Sequence, residues 1–173
     1  HTPLYAPQKY FDLFPLESIQ LPVILKDDIK DTFYKTVYPP SEMGLLYYQK
    51  LKESYPDDEG LKKFLQAYLA CITFVDDQIG VVLDALDKSK FRDNTIVILT
   101  SDHGWQMGQK EYLYKNSPWE ESTRIPLIVR VPGITKPRST VLHPVSLIDI
   151  YPTLVDLCSL GETIQHKGQN PVW

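Results

Sequence analysis

The sequence predicts an α/β fold, and three segments carry this prediction. Apolar residues recur every three or four positions from Glu59 to Asp87, which is the pattern of one long amphipathic helix. Residues 95–100 and 126–131 are continuous apolar runs rich in β-branched side chains, as is typical of strands covered on both faces. A long helix followed by two such strands indicates helices layered against a sheet.

The amino-terminal part of the chain has a different character. Residues 1–58 carry seven prolines, which exclude long helices and central strands. We therefore expect an extended segment, rich in proline and tyrosine, with one short helix near Ser41–Ser54. Because such a segment cannot build a core of its own, it should wrap over another part of the protein.

Residues 59–160 would form the α/β part of the chain. Besides the long helix and the two apolar strands, we expect a weaker strand at Val141–Leu147 and a helix from about Ile148 to Leu160. Residues 161–173 are predicted to form a polar tail. This division gives three parts in sequence order, without internal repeats.

The composition excludes several classes of protein. A chain of 173 residues can bury one good core, and a net charge of −4 argues against a nucleic-acid partner. No apolar run reaches the roughly 18 residues that a membrane span needs. The chain begins with His1 rather than Met, so we expect a fragment or a processed chain. Cys71 and Cys158 lie in apolar stretches and are expected to be buried and unpaired.

The most informative chemical signal follows the first predicted strand, where Asp102 and His103 precede Gly104. Ligands of open α/β sheets bind at the carboxyl ends of strands. A carboxylate and an imidazole side by side can bind one divalent cation, either calcium or magnesium, and the imidazole would also tolerate zinc. The alternative is that Asp102 caps the following turn and His103 is an ordinary loop histidine. A Ser101–His103–Asp102 triad is not expected, because sequence neighbours on a strand point to opposite faces.

Lys115 is the second candidate. It stands among tyrosines that would partly desolvate it, and such a lysine suits an anionic oxygen of phosphate or sulfate, although an ordinary surface lysine is the alternative. Glu120, Glu121 and Arg124 are expected to form ion pairs that hold the loop before the second strand. His1 is either a terminal histidine without a role or a site residue.

Taken in order, these pieces resemble the sulfatase family of the alkaline-phosphatase-like superfamily, most of all the branch that includes iduronate-2-sulfatase. The resemblance implies a portion of an alkaline-phosphatase-like sandwich, with a central mixed sheet flanked by helices. The segments that carry the resemblance are His1–Leu4, Ser101–Gly108, Lys115, Trp119–Leu127, Pro132-Gly133 and Val145–Leu154.

The resemblance implies a role for each candidate residue. Asp102 and His103 would be two ligands of a calcium ion, with Asp102 also able to touch the nucleophile and act as a base. Lys115 would bind the sulfate and neutralise the leaving oxygen. His1 would contact the sulfate and serve as a general acid for the departing alcohol. The substrate would be a sulfate ester, including that of a sulfated sugar, and the location periplasmic, secreted or lysosomal. Cleavage of such an ester needs a cationic clamp and a proton donor, which these groups supply.

One expected part of the family pattern is absent from the sequence. Sulfatases use a formylglycine made from the first residue of a Cys/Ser-x-Pro/Ala-x-Arg motif, and neither Cys71 nor Cys158 nor any serine begins such a motif. The amino-terminal pair of acidic metal ligands is missing too. We therefore expect a fragment that lacks the formylglycine segment, binds its cation weakly and is inactive in isolation.

Two other functions remain open at this stage. A phosphodiesterase or phosphonate monoester hydrolase of the same superfamily would use a similar clamp. A noncatalytic module that binds sulfated glycans is the other possibility, although the chain lacks the basic patch that polyanion binding usually needs. Residues 105–112 are expected to form a substrate-facing loop. In many relatives a histidine stands near Lys110, so the leaving-group subsite can differ here. The sequence does not predict the oligomeric state.

Overall fold

The computed structural model describes residues 2–33 and 41–160, and the chain divides into two compact units, His1–Thr135 and Lys136–Trp173. In the first unit the helices are α1 (Gln8–Phe11), α2 (Met43–Ser54), α3 (Glu59–Asp87) and α4 (Glu120–Thr123), and the strands are β1 (Val97–Thr100) and β2 (Leu127–Arg130). Short 3₁₀ turns lie at Leu16–Ser18, Asp28–Asp31, Arg92–Asn94 and Gln109–Glu111. The second unit contains a 3₁₀ turn at Leu147–Asp149 and helix α5 (Ile150–Leu157).

The predicted α/β class is confirmed, and β1 and β2 pair as an antiparallel sheet. Val97 lies opposite Arg130, and Thr100 lies opposite Leu127. Both strands are shorter than the apolar runs that contain them. Ile128 is 60% exposed. The described residues of the first unit therefore do not cover both faces of this sheet.

Helix α3 has the bounds that its apolar periodicity predicts. Its first turns are buried, since Leu61 packs with Met107 and Leu113 in one apolar cluster and Ala70 is fully enclosed. Farther along, apolar side chains such as Val82 stand exposed. The amino-terminal half of α3 is thus the platform on which residues 105–113 pack.

The proline-rich amino-terminal segment lies against α3. Tyr10 of α1 is buried, donates its hydroxyl hydrogen to Asp77 Oδ2 at 2.8 Å and packs at a tilt against the Phe74 ring. The Gln66 side-chain amide donates to the Phe14 carbonyl at 2.7 Å. These contacts agree with the expected wrapping, while the division of the chain at residues 58 and 160 stays a prediction.

The predicted weak strand at Val141–Leu147 is wrong. Pro144 has no backbone N–H to donate to a neighbouring strand, and a capping box begins at Ser146. In this box the Ser146 backbone N–H donates to Asp149 Oδ2 at 2.8 Å and starts the 3₁₀ turn that leads into α5. The helix predicted from about Ile148 to Leu160 is confirmed as α5. It begins at Ile150 and ends at Leu157, so it is shorter at both ends than expected.

Both cysteines are free, as predicted, but Cys158 is exposed rather than buried and Cys71 is half-buried. The predicted polar tail at 161–173 lies outside the described residues. Among the described residues, no helix has the length and apolar character that crossing a membrane requires.

Candidate functional site

The site begins two residues after the last residue of β1, Thr100. Asp102 is exposed and His103 is half-buried, and the His103 backbone N–H donates to Asp102 Oδ1 at 3.0 Å. The ring nitrogen His103 Nε2 lies 3.4 Å from Asp102 Oδ2. The two predicted cation ligands therefore face each other at the carboxyl end of the strand.

The hydrogen bond of the other ring nitrogen sets the tautomer of His103. Nδ1 lies 2.8 Å from the Gly104 carbonyl oxygen, which can only accept, so Nδ1 carries a hydrogen. In the neutral ring, Nε2 then presents a lone pair toward the Asp102 carboxylate. A positive species between the two groups, either a proton or a metal ion, removes the resulting repulsion. A backbone carbonyl that orients a metal-binding histidine in this way is common in metal sites.

The donor pair therefore fits a divalent cation that takes one nitrogen and one oxygen ligand from this strand end. Calcium in proteins usually has about six to eight ligands, most of them oxygen atoms. Two side chains therefore make only part of a calcium site. Within residues 2–33 and 41–160, no group of three or more His, Cys, Asp and Glu side chains is arranged to hold a metal ion.

Gly104 connects this strand end to the segment before β2. Its backbone N–H donates to the Ser122 carbonyl at 2.8 Å, and a Cβ at position 104 would overlap the Glu121 carbonyl oxygen. Ser122 is itself buried and accepts a hydrogen bond from the Ser117 hydroxyl at 2.8 Å. The glycine after Asp102-His103 is thus required because two backbone segments meet there without space for a side chain.

Lys115 reaches the site on a short hairpin. The Gln106 N–H donates to the Tyr114 carbonyl and the Gly108 N–H donates to the Tyr112 carbonyl, each at 3.0 Å. This pairing folds the chain back on itself through the turn at Gln109–Glu111. Lys115, half-buried at the end of the returning arm, therefore comes back toward the Asp102-His103 end of the hairpin.

The surroundings of Asp102 lower the pKa of its carboxyl group. Partial desolvation of the carboxyl acts to raise the pKa, but the positive charge of His103, the backbone N–H groups of Asp102 and His103, and the charge of Lys115 together hold it below its usual value. The charge of Lys115 is the weakest of these influences, and the hairpin pairing is what brings Lys115 to this side of the site. The structure brings together three of the four predicted site residues, and His1 lies outside the described residues.

The expectation that residues 105–112 face the substrate is wrong for much of the hairpin. Gln106 and Tyr112 are fully buried, and Met107 packs on α3. Lys110 Nζ is bound by Asp28 Oδ1 at 2.7 Å and Asp31 Oδ1 at 3.0 Å. The hairpin therefore packs into the first unit, because its alternate side chains must cover α3 and the Asp28–Asp31 turn.

Sequence reasoning missed Asp28 and Asp31 as partners of Lys110, since no pattern links residues about eighty positions apart.

The ion pair predicted between Glu120 and Arg124 is present, at 2.7 Å. Both partners are exposed, so this pair contributes only about 0.3–0.5 kcal/mol. The Glu121 backbone carbonyl oxygen lies where a Cβ at position 104 would stand. The Ser101 hydroxyl donates to the His103 carbonyl at 2.9 Å rather than to the ring, in agreement with the exclusion of a triad.

This α/β chain is similar in sequence to known proteins. The family model for Sulfatase matches residues 1–160, and the chain belongs to the sulfatase family. A sulfatase from Formosa agariphila is 43% identical over 99% of this chain and 33% of its own length. The iduronate 2-sulfatase of Mus musculus is 33% identical over 79% of this chain and 26% of its own length. The chain thus spans between about a quarter and a third of these relatives, and the resemblance inferred from the motifs is confirmed.

Solved structures with the same fold include enzymes of two kinds. A phosphonate monoester hydrolase from Silicibacter pomeroyi has a TM-score of 0.72 and 27% identity, covering 92% of this chain and 32% of that one. A second protein, solved in complex with its substrate D-glucosamine-2-N,6-O-disulfate, has a TM-score of 0.57 and 32% identity, covering 66% of this chain and 24% of that one. These neighbours confirm the alkaline-phosphatase-like fold.

The close approach at Gly104 predicts unequal effects for two glycine substitutions. Gly104→Ala should lower the free energy of unfolding by about 1–3 kcal/mol, because the Glu121 backbone must move to admit the methyl group. Gly80→Ala is the matched control: it lies within α3 with open space around it, so it should be neutral or stabilising by up to about 1 kcal/mol. Urea denaturation of the two variants measures both. Equal, small effects would contradict the contact.

The influence of Lys115 on Asp102 predicts a shift in a titration. In Lys115→Met the pKa of Asp102 should rise from its lowered value, whereas Lys88→Met at the end of α3 should leave it unchanged. Carboxyl carbon chemical shifts in NMR titrations measure both. Because the folded chain favours ionised Asp102, its stabilising contribution is present above the unfolded value of 3.8 and is lost as the pH falls through the lowered pKa. An unchanged Asp102 titration in Lys115→Met would show that the two side chains are far apart.

Proposed function

We propose that residues 101–124 supply part of the active site of a sulfuric ester hydrolase that cleaves sulfate esters. The observation that carries the proposal is the convergence of Asp102, His103 and Lys115 at the end of β1. Membership of the sulfatase family supports it. A site that combines a cation-binding pair with a nearby lysine suits a substrate whose reacting group is a compact anion.

Lys115 is the residue of this chain that would act on the sulfate directly. As the ester bond breaks, negative charge develops on the leaving oxygen, and a fixed ammonium group stabilises that charge. Its position at the end of a hydrogen-bonded hairpin means that little rearrangement is needed when the substrate binds. The partly buried surroundings strengthen the interaction relative to water.

Asp102 and His103 would hold a calcium ion together with ligands from outside these 173 residues. The ion, when bound, would supply positive charge that polarises the sulfate oxygens. For its part the chain holds His103 in the tautomer that leaves Nε2 free to bind a cation, through the hydrogen bond from Nδ1 to the Gly104 carbonyl. It also keeps Asp102 ionised, and therefore able to bind a cation, down to a lower pH than an isolated carboxyl would allow.

The nucleophile would be a formylglycine from a segment that is not among these residues, since no matching motif occurs in the sequence. His1 remains the predicted general acid for the leaving alcohol.

A sulfated sugar is the proposed substrate class, in line with the disulfated glucosamine bound by one structural neighbour. A periplasmic, secreted or lysosomal location remains part of the proposal.

A phosphonate monoester hydrolase is the second candidate. The observation that favours it is the fold match to the Silicibacter pomeroyi enzyme, with a TM-score of 0.72. Tetrahedral phosphorus and sulfur centres carry similar anionic oxygens, so the same lysine and cation-binding pair would serve either.

The experiment that tests the proposal uses the full-length enzyme that contains these residues. With 4-nitrophenyl sulfate, Lys115→Met should lower kcat/KM by about 10²–10³, because one fixed charge at the reacting group is lost. Lys88→Met replaces an exposed lysine directly after α3 and should retain the wild-type value. The isolated 173-residue chain should not hydrolyse 4-nitrophenyl sulfate.

Three outcomes would count against this account. A preference for 4-nitrophenyl phenylphosphonate over the sulfate ester would favour the second candidate. An unchanged kcat/KM in Lys115→Met would remove Lys115 from the site. Measurable turnover by the 173-residue chain would overturn the proposal that the nucleophile comes from another segment.

A further inference from the structure

The main chain on both sides of Lys115 is held by hydrogen bonds. The carbonyl of Tyr114, before it, accepts from the Gln106 N–H at 3.0 Å. The carbonyl of Asn116, after it, accepts from the Tyr112 hydroxyl at 3.0 Å. The first bond belongs to the hairpin, but the second comes from a side chain, which has no part in the hairpin pairing itself.

Tyr112 connects this point to the start of α2. Its side chain is fully buried, and its hydroxyl also lies 2.8 Å from Glu42 Oε1. The other carboxylate oxygen, Glu42 Oε2, accepts from the backbone N–H groups of Gly44 at 2.9 Å and Leu45 at 3.2 Å. Glu42 thus caps the first turn of α2 and binds Tyr112 at the same time.

The ring of Tyr112 is held as closely as its hydroxyl. A Cβ at Gly44 would overlap the Tyr112 ring, so the ring lies directly on the backbone of α2. The Leu113 N–H adds a bond to the Gly44 carbonyl at 3.1 Å. The hydroxyl that holds Asn116 therefore has little freedom to move, and neither has the carbonyl that follows Lys115.

We propose that Tyr112 and Glu42 are positioning residues for Lys115, an inference that rests on the proposed function. They act through the Asn116 carbonyl, without touching the substrate. A functional side chain must lie within about 0.5 Å of its productive position, and packed neighbours with hydrogen bonds set that position. A displacement of about 1 Å can cost on the order of 10²-fold in rate.

The number of protons at the hydroxyl makes the inference specific. Tyr112 has one hydroxyl hydrogen, whereas the Glu42 carboxylate and the Asn116 carbonyl both accept. The two bonds must share that hydrogen. A glutamine at position 42 would keep one oxygen for the α2 cap and turn an amide donor toward Tyr112, so the hydroxyl hydrogen could go wholly to Asn116. Glu42→Gln should therefore preserve the position of Lys115, although it removes a charge.

The test compares variants of the full-length enzyme, using 4-nitrophenyl sulfate. Tyr112→Phe should lower kcat/KM by about 10- to 100-fold, while Glu42→Gln stays within about threefold of wild type. Tyr10→Phe is the matched control, since it removes a comparable hydrogen bond from a buried tyrosine to Asp77 and should reduce stability but not activity. In a Lys115→Met background, Tyr112→Phe should have no further effect, because a residue that acts through Lys115 has nothing left to position.

A second measurement uses the 173-residue chain and needs no activity. The Ser117 N–H donates to the Lys115 carbonyl at 2.9 Å, so its hydrogen exchange reports on this part of the main chain. Exchange should accelerate about tenfold or more in Tyr112→Phe and remain slow in Glu42→Gln.

The outcomes separate the two proposals. A full-length wild type without hydrolase activity would overturn the proposed function, and the catalytic meaning of this inference with it. With an active wild type, unchanged kcat/KM in Tyr112→Phe would overturn the positioning role alone. A full Tyr112→Phe effect that persists in the Lys115→Met background, or unaltered Ser117 exchange, would do the same.

Discussion

The whole candidate site depends on one backbone contact, the hydrogen bond from the Gly104 N–H to the Ser122 carbonyl at 2.8 Å. It joins the end of β1, which carries Asp102 and His103, to the short helix that precedes β2. The carbonyl oxygen of the preceding residue, Glu121, lies where a Cβ at residue 104 would stand. An antiparallel pair of strands, by itself, does not bring these connecting segments together. Gly104 allows these segments to meet, because it has no side chain at the place where the two backbones come into contact.

Around this contact, exposure is divided in a way that suits a site. The groups that would bind a cation or a sulfate are exposed or half-buried, whereas the side chains that support them are enclosed. Tyr112 packs against α2, Leu113 packs against α2 and α3, and Gln106 is fully buried. Lys110 is bound by Asp28 and Asp31. The hairpin is therefore a packed element rather than a mobile loop, and a packed element is a precise support for a charge that must meet a small anion.

The parts of this arrangement that could be predicted are those that leave a local pattern. The helical periodicity predicts the position of α3, a helix of 29 residues, and the apolar runs predict β1 and β2. Asp102, His103 and Lys115 follow from residue type and from the family resemblance. The links between Tyr112 and Glu42, or Lys110 and Asp28, join positions 70 and 82 residues apart, and side chains that meet only in the folded chain have no periodic signal. At Val141–Leu147 apolar composition alone suggested a strand, but the proline and capping box within it favoured a turn.

The segments at Gly104 and Ser122 should be joined in solution, and amide hydrogen exchange at Gly104 measures this directly. If the N–H is held by the Ser122 carbonyl, exchange should be slower than in an unstructured peptide of the same sequence by a factor on the order of 100. Slowed exchange of that size would mean that the cation-binding pair and the segment beside Lys115 form one structural unit. Exchange at the unprotected rate would contradict the central claim, since the end of β1 and the segment before β2 would then not be joined.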